Sequence, residues 1–319
     1  MVHPRGFKDH HFGMNTDISF SITGEHSAEA SDALRHELVR LECMLSRYLD
    51  GSDIQNINRH AGIKPVCVNP ETCMILSASL SFSKLSKGLF DVTIGPLVDL
   101  WNFKQATRAP DKIRINKELS LVNYRSMMIK QGVSMVGLPQ SNQSIDLGGI
   151  AKGYAGDCCR KILENQKIAS GYISIGGNVI TLGNKSDGSC WKVGIRHPRE
   201  SNSLLGAVSV TDTSVVTSGD YERYFDDAEG NRWHHILHPK TGYPAKSGLI
   251  SVTVVYENSM TADALATTIF VAGKERGLKL LSHFQGAGAV LVDDVQRVSV
   301  TNNIASVFQA AEGIDISIL

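Results

Sequence analysis

The second half of the chain carries many short β-type segments that follow one another without an intervening helix. Five of them are rich in branched and aromatic residues: 172–175, 179–182, 191–196, 207–210 and 250–255. Residues 286–300 add a hairpin that turns at Asp293-Asp294. Antiparallel neighbours need only a short turn, whereas parallel neighbours need a long crossover, usually a helix. The pattern therefore predicts an α+β (mixed α/β) fold with a largely antiparallel sheet, not a doubly wound parallel sheet.

The predicted helices have recognisable ends. Ser27 is suited to cap a long helix, and Asn69 is suited to cap a second one that ends near Gly88. Residues 259–272 and 274–284 are predicted as two further helices, and residues 14–23 as an opening strand. The first helix has an apolar stripe that is expected to face the core: Leu34, Leu38, Leu41, Leu45 and Tyr48.

The chain is predicted to form one domain over residues 14–312, preceded by a polar tail over residues 1–13. Residues 104–143 are polar and weakly periodic, which predicts a small satellite region within that domain. No internal repeat, low-complexity tract or clear linker divides the chain.

Composition excludes several classes of protein. The formal net charge is +0, so no overall field attracts nucleic acid or an anionic membrane. No apolar run is long enough to span a bilayer, and the N-terminus lacks the apolar core of a secretory signal. The six cysteines form no CxxC pair and no zinc spacing, which predicts reduced thiols and a cytoplasmic location.

Residues 146–154, with the sequence DLGGIAKGY, give the first indication of a ligand. An apolar run over residues 144–147 is predicted as a strand that breaks at Gly148-Gly149 and continues as a helix. Free N–H groups at a helix start favour anions, and Lys152 adds a positive charge. The segment therefore predicts a phosphate site, although Walker A spacing is absent. The alternative is a plain strand-to-helix turn with a solvated lysine.

A second candidate site lies in the helix predicted over residues 259–272. Asp263 and Thr267 are four residues apart and share one face of the helix. Mg²⁺ commonly takes only one or two carboxylates together with phosphate oxygens. The alternative is that Asp263 only complements the positive end of the helix.

Three histidines, His234, His235 and His238, follow the polar segment 217–224. Histidine can act as a base near neutral pH. Zinc is not expected, because adjacent residues of a strand point to opposite faces and no cysteine cluster supports a closed site. The alternative for residues 239–244 is that they only shape a rigid turn.

Seven segments, taken in chain order, resemble the ApbE family, the FAD:protein FMN transferases. The resemblance extends from residue 14 to about residue 273, and seven such segments in one order are highly specific. The segments are SRY (46–48) with SDI (52–54), FDVTIGPLV (90–98) with LW (100–101), DLGGIAKGY (146–154), IGGN (175–178), TSGDYER (217–223), HI (235–236) with PKTG (239–242), and TADALAT (261–267).

The resemblance implies a flavin cleft between two lobes and an enzyme that cleaves the diphosphate of FAD with Mg²⁺. The FMN half would pass to a Thr or Ser hydroxyl of an acceptor flavoprotein, and AMP would be released.

Carried over by motif, the resemblance assigns three kinds of site residue. Asp263 and Thr267 would bind Mg²⁺ together with the backbone carbonyl of Gly149. His235 would assist proton transfer from the acceptor hydroxyl. FAD would contact a larger set: Met14, Tyr48, Leu89, Phe90, Asp91, Asp146, Lys152 and Ile236.

Two positions depart from the family's pattern. His238 stands where many relatives have an aspartate, and Asn15 stands where glycine is usual. Many relatives are exported lipoproteins, whereas this chain shows no leader. The chain is therefore expected to modify a cytoplasmic flavoprotein.

Two other functions stay open on the sequence. One is a Mg²⁺-dependent FAD pyrophosphatase that passes FMN to water, and the other is a flavin-binding carrier without turnover. Asp263 and Thr267 favour an enzyme, since a carrier would not need a metal-binding helix.

Overall fold

The computed structural model describes residues 6–319 and places their strands in one large sheet and three small ones. The strands are β1 Gly6–Gly13, β2 Thr16–Thr23, β3 Val66–Cys67, β4 Met128–Lys130, β5 Met135–Gly137, β6 Ser170–Ile175, β7 Asn178–Leu182, β8 Trp191–Arg196, β9 Leu204–Val210, β10 Ser214–Gly219, β11 Tyr224–Asp226, β12 Arg232–His234, β13 Leu249–Tyr256, β14 Gly288–Asp293, β15 Val298–Val300, β16 Phe308–Ala310 and β17 Ile316–Ile318. The helices are α1 Ser27–Leu45, α2 Asp53–Arg59, α3 Pro70–Leu85, α4 Gly95–Trp101, α5 Lys112–Leu119, α6 Ala151–Asn165, α7 Ser259–Ala272, α8 Lys274–Leu281 and α9 Asn302–Ala305.

The large sheet has nine strands in the order β1-β2-β6-β7-β10-β13-β14-β15-β17. Its neighbouring strands are antiparallel, apart from the parallel pair β15 and β17. The small sheets are β16-β9-β8, β3-β5-β4 and β11-β12. The predicted mixed fold with a largely antiparallel sheet is confirmed.

Helices α6 and α7 lie side by side against the middle of the large sheet, where α6 contacts β7 and α7 contacts β10 and β13. Glycine allows this close approach at two positions of α6. A Cβ at Gly153 would lie 2.3 Å from the Ser259 carbonyl oxygen, and one at Gly156 would lie 2.6 Å from Ile180 Cδ1. A larger residue at either position would push the helix away from its neighbours.

The observed ends of α1 differ slightly from those predicted. The helix begins at Ser27 itself, and His26 occupies the N-cap position. The predicted stripe is buried at its four leucines, but Tyr48 lies beyond the helix and is 67% exposed. The prediction that Tyr48 belongs to the core stripe is therefore wrong.

Two predicted segments also differ from the structure. The polar tail predicted over residues 1–13 is wrong for residues 6–13, because these form β1, which pairs with β2 along its whole length; residues 1–5 lie outside the described residues. The strand predicted over residues 144–147 is wrong, since only an isolated bridge joins Ser144 to Ile94. The Asn58 side chain bonds both the N–H and the carbonyl of Ile145, at 2.6 and 3.1 Å, in the manner of a neighbouring strand.

Residues 104–143, predicted as a satellite region, contain α5, β4 and β5. Val136 and Leu138 join the main core, whereas Ile115 packs with Leu97 and Trp101. The region is thus held against the body of the protein at two places. Across residues 6–319, the helices all lack the combination of length and apolar composition that crossing a bilayer requires.

Candidate active site

Asp263 lies in the second turn of α7, where that helix meets the start of α6. Asp263 is only 2% exposed, and its Oδ2 accepts a hydrogen bond from the backbone N–H of Gly153 at 2.9 Å. Its Oδ1 lies 3.5 Å from Lys152 Nζ. A buried carboxylate is costly unless it is paired, and here a backbone donor and an ammonium group share it. The carboxylate therefore joins the two helices and keeps lone pairs for a further ligand.

Thr267 stands one turn beyond Asp263 on the same face of α7. Its Oγ1 lies 3.2 Å from Ser218 Oγ on β10. Gly149, in the loop before α6, lies against both Thr267 and Phe90, because a Cβ there would be 3.2 Å from Thr267 Oγ1 and from Phe90 Cε2. The structure thus brings the three predicted metal-binding residues to one place.

These three residues fit a magnesium ion by their chemistry. One carboxylate, one hydroxyl and one backbone carbonyl are hard oxygen donors, which Mg²⁺ prefers. Within the part of the chain that the structure describes, no three His, Cys, Asp or Glu side chains gather into a metal site. A mixed set at Gly149, Asp263 and Thr267 is therefore the candidate metal centre.

Asp146 is held by contacts on both of its oxygens. Its Oδ1 accepts from the Gly148 N–H at 2.7 Å, and its Oδ2 accepts from Arg47 Nη1 at 3.0 Å. Arg47 also bonds Asp99 at 2.7 Å, and only 9% of its side chain is exposed. Arg47 stands in the SRY segment, but its residue type and spacing alone predict no role for it. Only that segment's likeness to the family could have pointed to it.

The anion site predicted at the start of α6 has fewer free N–H donors than expected. The N–H groups of Gly148 and Gly153 are not free, because they donate to Asp146 and Asp263. The prediction of free N–H groups at this turn is wrong for these two positions. Lys152 remains as a positive group, 26% exposed in its side chain, and it is shared with Asp263.

His235 follows β12 directly and is half-buried near the cationic side chains of Arg223 and Lys152. Its backbone N–H donates to the Arg223 carbonyl at 3.0 Å, and its Nδ1 has no hydrogen-bond partner within residues 6–319. Burial, and then the positive charges of Arg223 and Lys152, lower its pKa to about 3. The imidazole is therefore neutral at pH 7 and can accept a proton.

The neighbouring histidines have structural contacts instead. His234 Nε2 is 3.1 Å from the Ala245 carbonyl oxygen, and its Nδ1 accepts from the N–H of the buried Ile236 at 3.3 Å. His238 Nδ1 accepts from the Lys240 N–H at 3.1 Å and so closes a turn. His238 thus stabilises the loop after His235.

Met14 and Asn15 form the two-residue turn between β1 and β2. Their φ angles are +50° and +60°, and asparagine adopts this left-handed conformation more readily than most residues. Asn15 contacts Arg223 Nη2 through its carbonyl at 3.3 Å and Lys104 Nζ through its side chain at 2.9 Å. Burial raises the pKa of Tyr48, and the nearby charge of Arg223 opposes that rise. The turn and Tyr48 therefore lie near the segment that carries His235.

Leu89, Phe90 and Asp91 follow α3 and are buried to different degrees. Phe90 is 5% exposed, and Leu89 is half-buried. The Asp91 carboxylate accepts three hydrogen bonds, from the N–H and hydroxyl of Thr93 and from the N–H of Tyr124. Burial raises its pKa. The side chain of Asp91 thus fixes the loop.

The depressed pKa of His235 predicts a loss of stability in acid. An unfolded histidine binds a proton near its ordinary pKa of about 6.5, whereas folded His235 does so only near 3. Between these values the unfolded chain binds more protons, so stability falls as the pH decreases. We expect the urea midpoint to fall less between about pH 7.5 and about pH 5 in His235→Gln than in the unmodified chain. The exposed His36, replaced by glutamine, is the control, and equal slopes in both variants would contradict the prediction.

A family model described as the ApbE family matches residues 14–291. The chain belongs to the ApbE family. Every residue of the candidate site lies within the matched range, from Met14 in the first turn to Thr267 in α7.

Curated relatives of this ApbE chain are named FAD:protein FMN transferases. One from Klebsiella pneumoniae (strain 342) is 35% identical over 88% of this chain and 86% of its own length. One from Treponema pallidum (strain Nichols) is 36% identical over 87% of this chain and 82% of its own length. These relatives support the conclusion that the chain is an enzyme, a transferase.

Solved structures agree with this assignment. The ApbE protein of Thermotoga maritima is 32% identical and superposes with a TM-score of 0.87, over 95% of this chain and 99% of that chain. The flavin transferase ApbE of Vibrio cholerae is 24% identical, has a TM-score of 0.85 over 95% of this chain and 99% of that chain, and supports the fold alone.

Proposed function

We propose that the chain transfers FMN from FAD to a Thr or Ser hydroxyl of an acceptor flavoprotein, with Mg²⁺ as the metal and AMP as the leaving group. The convergence of Gly149, Asp263 and Thr267 beside Lys152 is the observation that carries the proposal. The names of the curated relatives support flavin transfer as the reaction.

Asp263 and Thr267 would hold Mg²⁺ with the carbonyl of Gly149. When bound, the ion would neutralise charge on the diphosphate oxygens, which is the main requirement of phosphoryl-type transfer. Lys152 lies beside Asp263 and would offset the charge of the second phosphate. Because Lys152 and Asp263 already attract each other, the lysine is placed at the edge of the metal site before any ligand arrives.

The flavin half of FAD would lie near the turn at Met14 and the exposed ring of Tyr48. An exposed aromatic side chain can stack on a flat heterocycle. Phe90 and Ile236 are buried and would form the floor, with Leu89 at its edge. Asp91 would contribute through its backbone, because its carboxylate is occupied.

Asp146 would contact FAD from its fixed position next to Arg47. Its carboxylate is held from two sides, so little orientational freedom is lost when a ligand hydroxyl or amide donates to it.

His235 would take the proton of the acceptor hydroxyl. The hydroxyl oxygen attacks the phosphorus of the FMN half, the bond from that phosphorus to the bridging oxygen breaks, and the electron pair leaves with AMP. The proton moves to a ring nitrogen of His235, which is neutral at pH 7.

The acceptor is proposed to be a cytoplasmic flavoprotein. The six cysteines form no CxxC pair and no zinc spacing, which favours a compartment that keeps thiols reduced. The compartment itself stays a prediction.

Incubation of the chain with FAD, Mg²⁺ and a flavoprotein that has an acceptor threonine should give AMP and a fluorescent protein band in a denaturing gel. The same acceptor with that threonine changed to alanine is the control and should stay unlabelled. AMP without a labelled band would favour the pyrophosphatase instead. If both AMP and the labelled band are absent, the result would favour the carrier.

A further inference from the structure

The start of α7 is held by a carboxylate of α6. Asp157, near the middle of α6, accepts hydrogen bonds from the backbone N–H groups of Ser259 and Met260 at 2.8 and 2.9 Å. It also accepts from Asn258 Nδ2 at 2.7 Å. Asn258 is itself the N-cap of α7, because its Oδ1 accepts from the Thr261 N–H at 2.9 Å. Asp157 therefore satisfies donors that the start of a helix leaves without partners.

The start of α6 is held in return by a carboxylate of α7. Asp263 accepts from the N–H of Gly153, in the first turn of α6, at 2.9 Å. Each helix thus places one carboxylate on the N-terminal N–H groups of the other. Both contacts complement the positive end of a helix dipole.

A second side chain of α6 strengthens the contact between α6 and the start of α7. Arg160 Nη1 donates to the carbonyl of Glu257, just before α7, at 2.5 Å, and its Nη2 donates to Ser214 Oγ on β10 at 2.8 Å. The segment that leads into α7 is therefore fixed to both α6 and the sheet.

This contact between α6 and α7 determines where the proposed metal ligands lie. Gly149 precedes α6, whereas Asp263 and Thr267 belong to α7, so the three converge only if the two helices keep one relative rotation and shift. Asp157 contacts the first turn of α7, and Asp263 follows about one turn later, roughly 6 Å along the helix axis. A small movement of that first turn would carry both side chains away from Gly149.

We propose that Asp157 is a positioning residue that sets the affinity for Mg²⁺ by fixing α7 against α6, without touching the metal. The proposal rests on the function proposed above. Residues that orient metal ligands change metal affinity by about 10- to 100-fold when they are replaced.

Asp157→Asn keeps the size of the side chain and turns one acceptor into a donor that faces other donors. We expect the Mg²⁺ concentration for half-maximal AMP release to rise about 10- to 100-fold, while the rate at saturating Mg²⁺ and FAD stays near that of the unmodified chain. Independently of turnover, the increase in Tm that Mg²⁺ causes in the presence of AMP should need correspondingly more Mg²⁺.

Asp111→Asn is the matched control, because the exposed Asp111 caps α5 through the Arg114 N–H at 2.9 Å, and the hydrogen bonds described for residues 6–319 join it to no residue of α6 or α7. It should lower Tm without changing the Mg²⁺ dependence. If Asp157→Asn behaves like Asp111→Asn, its role is only structural and the inference is wrong.

Asn258→Ser provides a milder second variant should Asp157→Asn not fold. Serine can still cap α7, but the donor to Asp157 is lost. We expect a smaller rise in the Mg²⁺ requirement, and an unchanged requirement would overturn the inference. If the unmodified chain itself shows no effect of Mg²⁺ on Tm or AMP release, the proposed function fails instead.

Discussion

Asp263→Asn is expected to lower Mg²⁺-dependent flavin transfer by on the order of 10³-fold or more. The metal's stabilisation of transition-state charge is worth several kcal/mol, and each 1.36 kcal/mol changes the rate about tenfold. The substitution removes the only carboxylate of the proposed ligand set. Initial rates of AMP release, measured against Mg²⁺ concentration, test the effect.

The same variant should remain folded. Asparagine keeps an oxygen that can accept from the Gly153 N–H, the buried contact that Asp263 makes with α6. Lys152, with its side chain 26% exposed, can turn its ammonium group towards water when the carboxylate charge is gone. Circular dichroism and thermal unfolding should therefore resemble those of the unmodified chain. Normal turnover in this folded variant would contradict the assignment of the metal centre.

Two adjacent threonines of α7 provide a matched pair for the same test. Thr267 faces Gly149 and Ser218, whereas the fully buried Thr268 donates to the Ala264 carbonyl within its own helix at 2.6 Å. Valine at position 267 should raise the Mg²⁺ requirement, and valine at position 268 should leave it unchanged. Equal effects would point to packing of α7 rather than to metal binding.

Local rules were sufficient for elements whose own residues define both ends. Helix α7 spans Ser259–Ala272, as predicted, because Asn258 caps its start and Gly273 ends it with a φ of +78°. Strand β8 over Trp191–Arg196 also has the predicted bounds. In both cases local propensity and the surrounding fold favour the same structure.

Local rules failed where a distant partner decides the structure. Half of the β1 residues are charged or histidine, and the segment forms a strand because β2 offers a full ladder at the edge of the sheet. Residues 144–147 look like a strand, but Asn58, far away in the sequence, bonds the backbone of Ile145 instead. A single sequence does not reveal such long-range partners.

The same limit applies to the candidate site. The motifs predicted Asp263, Thr267 and Gly149, and the structure brings these residues together. Two long-range contacts around the site have no such motif: Arg47 with Asp146 and Asp157 with Ser259. A carboxylate that caps another helix has no periodic pattern around it.

His235→Gln is expected to slow flavin transfer by about 10²- to 10⁴-fold, the usual contribution of a general base, with a much smaller effect on FAD binding. Glutamine is similar in size to histidine but cannot accept a proton near neutral pH. Single-turnover labelling of the acceptor measures the transfer step, and quenching of flavin fluorescence measures binding. Equal losses in both would mean that His235 only binds the ligand.

His234→Gln is the matched control for that experiment. His234 is 6% exposed and contacts the Ala245 carbonyl and the Ile236 N–H, so its replacement should lower Tm. The folded fraction should still transfer FMN at close to the normal rate. A loss of transfer as large as that in His235→Gln would show that the whole loop, rather than one imidazole, is needed.

The low pKa of His235 constrains how it can act as a base. Burial, and then the charges of Arg223 and Lys152, depress it in the free chain to about 3. Bound FAD would bring a negatively charged diphosphate next to Lys152, and this charge opposes the effect of the cations. The basicity of His235 should therefore increase only when substrate is present. We expect the acid-side pKa of the kcat profile, which reports the substrate-bound chain, to be higher than the corresponding pKa of the kcat/KM profile, which reports the free chain. Coincident pKa values would mean that the diphosphate does not approach Lys152.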